Sequence, residues 1–252
     1  AITNLKIAHV PFTCASVKNE MDTRKIESGV QLFSRLNQRP LLENLYPELI
    51  ESGPFPNEFI EIAGGLGVGK TTLLMDLMKR CLLPAEHSGK GCGVVLINGD
   101  HHFDMFRFVA MFDVDLQVVK SCLANLIVLN CYDSDQLQVT FYNLENILLT
   151  NPKIGFVAVD SISAQYWQYR SNKGVISSHG YHCKMMRAIE ESVRNCNVVV
   201  AYTKQESGKE IRFQAGVHRI ALHEDQGKSY AIVNKCEAGV PFVLNDRITF
   251  SV

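Results

Sequence analysis

Between a mostly apolar pentapeptide, Phe59–Ala63, and an apolar run to about Leu83, the chain reads Gly64-Gly-Leu-Gly-Val-Gly-Lys-Thr71. This string leaves few folds open. Glycines at that density permit backbone conformations closed to other residues and remove the Cβ atoms that would fill the turn. A strand entering such a turn and a helix leaving it form a cradle of backbone N–H donors with the positive end of a helix behind it. The complete G-x-x-x-x-G-K-[ST] pattern in that context predicts a phosphate loop. Its candidate residues are Gly64, Gly65, Leu66, Gly67, Val68, Gly69, Lys70, Thr71 and Thr72. Lys70 is the cation for the β- and γ-phosphates of a nucleotide, and the Thr71 hydroxyl is a ligand for Mg²⁺.

The remaining apolar segments continue the alternation. Gly93–Ile97, Leu126–Leu129, Ile154–Val159 and Asn197–Ala201 predict strands, and Ile154–Val159 lacks alternation, as a strand buried on both faces does. Helices are predicted over about 103–123, 135–149 and 178–195, the second with Leu137, Phe141, Leu144 and Leu148 on one stripe. Short strands near 217–222, 229–234 and 247–251 close the chain. Strands alternating with helices predict an α/β fold: a mostly parallel central sheet, helices on both faces and a β-rich C-terminal part. Upstream, residues 1–25 read as an extended arm, Ser28 as the cap of a short helix through Leu36, and Pro40, Pro47, Pro54 and Pro56 as punctuation of a connector. The division is thus an arm at 1–25 and one α/β unit at 26–252.

A phosphate loop with magnesium needs a carboxylate at a second strand end. Ile154-Gly-Phe-Val-Ala-Val-Asp160 projects Asp160 from the C-terminal edge of the sheet, where ligands of open α/β folds sit. Another strand ends in Asn98-Gly-Asp100, and Asp100 is a candidate to polarise a water for attack on a γ-phosphate. Asn234-Lys-Cys-Glu237 lacks the final Asp of a guanine-reading motif and lies in a predicted strand pair, which argues against a GTPase. A small-molecule kinase stays open as an alternative, although no arginine-rich lid is visible.

Composition sets the outer limits. The 252 residues carry 25 Lys and Arg against 26 Asp and Glu, a net charge of −1, which excludes a histone-like basic binder but not a local cationic patch. The eight cysteines stand singly with no C-x-x-C pair, so they read as reduced core residues of a cytosolic or nuclear chain rather than as a zinc site. The N-terminus has no apolar run of signal length, and no stretch approaches the ~18 apolar residues of a membrane span.

At these residues the chain resembles the RecA family and its eukaryotic recombinase branch. Asp160-Ser-Ile-Ser-Ala164 is similar to that family's D-S-x-x-A at the metal strand, and Val198–Gln205 to the strand ending in its sensor glutamine. The family's usual Asn before that glutamine is Lys204 here. Glu27-Ser-Gly, Cys81-Leu-Leu-Pro84, His102-Phe-Asp-Met-Phe-Arg107 and Ser163-Ala-Gln-Tyr-Trp167 resemble a paralogue of the strand-exchange recombinase, over about residues 26–252. The resemblance implies a RecA-like core that binds ATP and Mg²⁺. It implies a nuclear subunit, with a cytoplasmic pool, of a heteromer with other recombinase paralogues that assists homologous recombination. Partners would be those paralogues and single-stranded or branched DNA, with no membrane. Asp100 and Gln205 would face the γ-phosphate, Arg170 and Lys173 would lie in a first DNA loop at 170–174, and Phe12 and Ala15 of Phe12-Thr-Cys-Ala15 would dock on a neighbouring subunit.

Three departures shape the expected activity. Asp100 stands where the family usually has Glu, which withdraws the carboxylate by ~1.5 Å, and misplacement on that scale can cost about 10²-fold in rate. The family's N-terminal helical DNA-binding domain has no counterpart in this sequence, and 206–216 is short for its second DNA loop. The reading is therefore a subunit acting mainly by assembly, with an active DNA-dependent ATPase as the alternative. Beside these, His101, His102, His179 and His182 read as ordinary surface or core histidines, and Trp167, Tyr166 and Tyr169 as a helix packed on the core, with base stacking as the other use.

Overall fold

The computed structural model describes residues 39–50, 52–205, 216–225, 228–237, 240–241 and 246–250, together with Gly29 and Leu32. The arm at 1–25 with Phe12 and Ala15, most of the helix expected at 28–36, and the second-loop segment up to residue 215 lie outside the described residues.

The first strand, β1, is Phe59–Gly64, and the helix after the glycine turn, α1, is Lys70–Leu82. Then follow β2 (Gly93–Asn98), α2 (Met105–Ala110), α3 (Leu116–Leu123), β3 (Leu126–Asn130), α4 (Ser134–Thr150) and β4 (Ile154–Asp160). The chain continues through α5 (Tyr166–Lys173), α6 (Ser178–Val193), β5 (Val199–Gln205), β6 (Val217–Asp225), β7 (Lys228–Glu237), β8 (Val240–Pro241) and β9 (Asp246–Phe250). Six parallel strands run in the order β3-β2-β4-β5-β1-β6, and β7 extends the sheet antiparallel with β8 and β9 paired to it. This is the expected α/β architecture with its β-rich C-terminal part.

Alternation within each strand splits the core in two, because successive side chains of a strand point to opposite faces. Val94 and Leu96 of β2, with Phe156 and Ala158 of β4, pack against Leu74, Leu77, Met78 and Cys81 of α1 and Phe108 of α2. Val95, Ile97, Val157 and Val159 pack on the other face against Leu137, Phe141, Leu144 and Leu148 of α4 and Tyr181, Met185 and Ile189 of α6. The four residues of the α4 stripe are fully buried, as its periodicity requires. Cys81, Cys92, Cys122, Cys131 and Cys196 are buried within these layers. None of the described helices is long and apolar enough to cross a membrane.

Two local readings change. The apolar stretch over 103–123 is two short helices, each started at an aspartate; the Asp104 carboxylate accepts from the backbone of Phe106 and Arg107. Arg170 and Lys173 do not lie in a loop but in α5, which runs until Gly174 takes a left-handed φ of 101° and ends it.

The sheet also contains a buried ion pair. Glu61 in the middle of β1 faces Tyr202 of β5 in register. Lys204 Nζ lies 2.9 Å from Glu61 Oε1, both side chains being at most 5% exposed, and the Tyr202 hydroxyl donates to Glu61 Oε2 at 2.6 Å. Arg219 of β6 approaches the same carboxylate at 3.7 Å. Burial and the adjacent carboxylate push the Tyr202 phenol well above its ordinary value. Removing one member of such a pair strands the other charge away from water. Glu61→Ala is therefore expected to lower stability by about 3–5 kcal/mol, whereas Glu61→Leu combined with Lys204→Met recovers most of that loss; urea unfolding of the three proteins measures both.

Candidate functional site

The parallel register brings the motif residues together. At the C-terminal edge, Asn98 of β2 is level with Asp160 of β4, and Gln205 of β5 is level with Gly64 of β1. Because the strand order is β2-β4-β5-β1, Asp100, Asp160, Gln205 and the glycine turn line up along one edge. An open cleft of about 520 Å³ lies over them, walled by Leu66, Lys70, Thr71, Asp100, Asp160 and Gln205.

The turn has the conformation that its glycines were expected to supply. Gly67 and Gly69 have φ of 79° and 94°, in the left-handed region. A Cβ on Gly64 would stand 2.7 Å from the Leu222 carbonyl oxygen, so β6 backs the turn directly. Gly69 caps α1 without a side-chain bond, and no acidic residue occupies the first turn. The helix thus offers its first N–H groups and positive end to an anion. Val68 packs on the core while Leu66 is 86% exposed at the tip of the loop. Lys70 Nζ donates to the Gly64 carbonyl at 3.1 Å and also to that of Gly65. Burial lowers the Lys70 pKa, opposed by the charges of Asp160 and Asp100.

Asp160 is the buried pivot, 2% exposed. Its Oδ2 accepts from Thr71 Oγ1 at 2.8 Å, and its Oδ1 accepts from Thr203 Oγ1. Burial raises its pKa, the Asp100 charge adds to the rise, and the two threonine hydroxyls oppose it. The Gly99 N–H donates to the Asp160 carbonyl at 2.7 Å, which holds the Asp100 turn against β4. Asp100 itself lies 3.4 Å from His102 Nδ1 at the rim. A hydroxyl and a carboxylate paired beside a glycine cradle suit a phosphate chain with a hard divalent cation, and oxygen donors are the set that Mg²⁺ takes.

Several residues of this site were not legible as such. Thr203, two before Gln205, supports Asp160; only its place one strand away, opposite a buried carboxylate, reveals this. Arg107 Nη2 donates to Thr72 Oγ1 at 3.0 Å and lines the cleft. Gln165 Nε2 donates to the Gly99 carbonyl at 3.1 Å. The DNA-contact candidates lie apart from the cleft: Lys173 is 3.3 Å from Asp135, and the Arg170 guanidinium sits 5.6 Å from the centre of the exposed Trp167 ring. Of the histidines, His101 stacks on Tyr132 at 4.7 Å, His179 contacts Cys183, and His182 is buried.

Comparison with known proteins decides the family. The Rad51 family profile matches residues 46–218, which hold the glycine turn, Asp100, Asp160 and Gln205. The chain belongs to the Rad51 family. It is also similar to the DNA repair protein XRCC2 of Mus musculus, 38% identical over 160 residues, or 61% of this chain and 58% of that protein. The match thus covers a little over half the length of the curated relative. Against this Rad51-type background Lys204 is notable, because it turns away from the cleft and into the ion pair with Glu61.

The raised Asp160 pKa has a signed consequence. The folded protein favours the protonated carboxyl, so this group stabilises the fold relative to neutral conditions at low pH, and that contribution is lost as pH rises through its folded pKa. Asp160→Asn should therefore raise the melting temperature at pH 7, and the gain should shrink as pH falls through that pKa. Thermal unfolding of both proteins across pH 3–7 checks the trend, and a gain that grows on acidification would contradict it.

Proposed function

We propose that this chain is an ATP- and Mg²⁺-binding subunit of a heteromer of Rad51-type proteins that assists repair of DNA by homologous recombination in the nucleus. One observation carries the nucleotide half: the glycine turn, the Thr71–Asp160 pair, Asp100 and Gln205 converge on a single cleft at the edge of a parallel sheet. Membership of the Rad51 family and similarity to a DNA repair protein support the recombination half.

On this reading Gly64–Gly69 and the start of α1 wrap the phosphates, and Lys70 leaves the loop carbonyls for the β- and γ-phosphates. Thr71 and Asp160 hold Mg²⁺, which when bound neutralises charge on the phosphate oxygens. Asp100 orients a water, and Gln205 contacts the terminal phosphate. The short Asp100 side chain makes turnover slow, so ATP serves chiefly to stabilise an interface. Arg170 and Lys173 contact DNA phosphates within the complex, and Phe12 and Ala15 dock on a neighbour. A second reading, an active DNA-dependent ATPase, is favoured by Asp100 and Gln205 both lining the cleft.

Nucleotide titration tests the reading. Wild type should bind Mg-ATP, and Lys70→Ala should bind it at least about 10-fold more weakly, the scale of a lost charge-assisted hydrogen bond. Asp100→Glu should raise a low hydrolysis rate. Wild-type turnover above about 1 s⁻¹, the lower end for working enzymes, would favour the second reading. Absence of ATP binding by wild type, alone or with a Rad51-type partner, would refute both.

A further inference from the structure

We infer that Ser163 is a hydroxyl donor to the terminal phosphate in this cleft and that His182, buried beneath it on α6, is the residue that positions it. The inference deepens the nucleotide reading above and rests on it.

The geometry begins in the turn after β4. Ser163 lines the cleft together with Lys70, Asp100 and Gln205. Its Oγ accepts from the backbone N–H of Gln205 at 3.0 Å and lies 3.1 Å from His182 Nε2. His182 is 1% exposed, and burial, then the charges of Lys204 and His179, lower its pKa to about 4, so its ring is neutral at physiological pH. A neutral imidazole has one N–H and one bare nitrogen. Nδ1 is buried with no hydrogen-bond partner among the described residues. A proton on Nδ1 would leave a buried N–H unpaired, the rarer kind of orphan in folded proteins. The hydrogen-bond pattern therefore assigns the proton to Nε2, which donates to Ser163.

The consequence falls on the serine. A hydroxyl has two acceptor lone pairs and one donor hydrogen. With both lone pairs engaged by Gln205 N–H and His182 Nε2–H, its own O–H is left to donate, and it lies in the wall of the cleft. An acceptor there is an anionic phosphate oxygen or a water beside it. Two contacts fix the geometry further. The Tyr181 hydroxyl, one residue from His182, donates to the Ala164 carbonyl at 2.7 Å. Gln165 ties the same turn to Gly99, next to Asp100. Ser163 is thus held from α6, from β5 and from the Asp100 turn at once. On the reading above Gln205 contacts the terminal phosphate, so a hydroxyl bonded to the Gln205 backbone stands beside that phosphate and distinguishes ATP from ADP.

Calorimetric titration of the full chain with Mg-ATP and with Mg-ADP tests this. Ser163→Ala should weaken ATP about 10-fold, the scale of a hydrogen bond to a charged group, and change ADP by less than about twofold. His182→Phe should reproduce that pattern, and His182→Gln, which restores an N–H donor, should return most of the ATP affinity. Should His182→Phe fail to fold, as judged by thermal unfolding, Ser163→Ala and the hydroxyl-restoring Ser163→Thr decide the matter. An unchanged ATP-to-ADP ratio in Ser163→Ala, or equal weakening of both nucleotides, overturns the inference and leaves the nucleotide reading standing. Failure of wild type to bind either nucleotide overturns that reading, and the inference with it.

Discussion

Everything at the cleft depends on the level at which four parallel strands stop. β2, β4, β5 and β1 are adjacent, and their registers place Asn98 beside Asp160 and Gln205 beside Gly64. Residues far apart in the chain therefore meet along one edge. Asp160 then locks the edge, since its two oxygens accept from Thr71 on α1 and Thr203 on β5. Three elements share one carboxylate, and the burial that makes this possible also raises its pKa. The glycine turn completes the arrangement against β6, where no side chain fits between Gly64 and the Leu222 carbonyl. Strand β6 is thus the back wall of the glycine turn.

Much of the fold was legible in the sequence because its signals are local and periodic. The stripe of Leu137, Phe141, Leu144 and Leu148 and the unbroken apolar run before Asp160 each point to one burial state, and the structure gives them that state. The glycine turn was equally plain, because a positive φ at Gly67 and Gly69 is a demand that few residues meet. What escaped reading were features set by pairing across strands or between layers. Thr203 is an ordinary strand threonine until β5 lies beside β4. In the sequence Lys204 is only the residue standing where the family has Asn, and the register of β5 against β1 turns it inward to Glu61. The helical course of Arg170 and Lys173 is settled by the stop at Gly174 and by packing of Tyr169, not by the polar composition of the segment.

The polar contacts below the cleft follow the same logic. Gln205 lines the cleft while Lys204 joins Glu61, and Asp160 is supported from the neighbouring strand by Thr203. Ser163 occupies the junction, bonded to the Gln205 backbone and to His182 on the helix underneath. The cleft edge and the packing of α6 are therefore connected through a few hydrogen bonds.

The Glu61–Lys204 pair has a bearing on how such a chain changes over generations. A solitary exchange to an apolar residue at either position removes the ion pair from inside the sheet, and for Glu61 it leaves the Tyr202 hydroxyl and Arg219 as its remaining polar neighbours. A lineage that replaced lysine with a neutral residue would pass through a poorly folded intermediate unless position 61 changed with it or an arginine as near as Arg219 took up the load. The two sites thus behave as one heritable unit. A substitution imported singly at either position therefore costs more than the same exchange made at both, even though both residues lie outside the cleft.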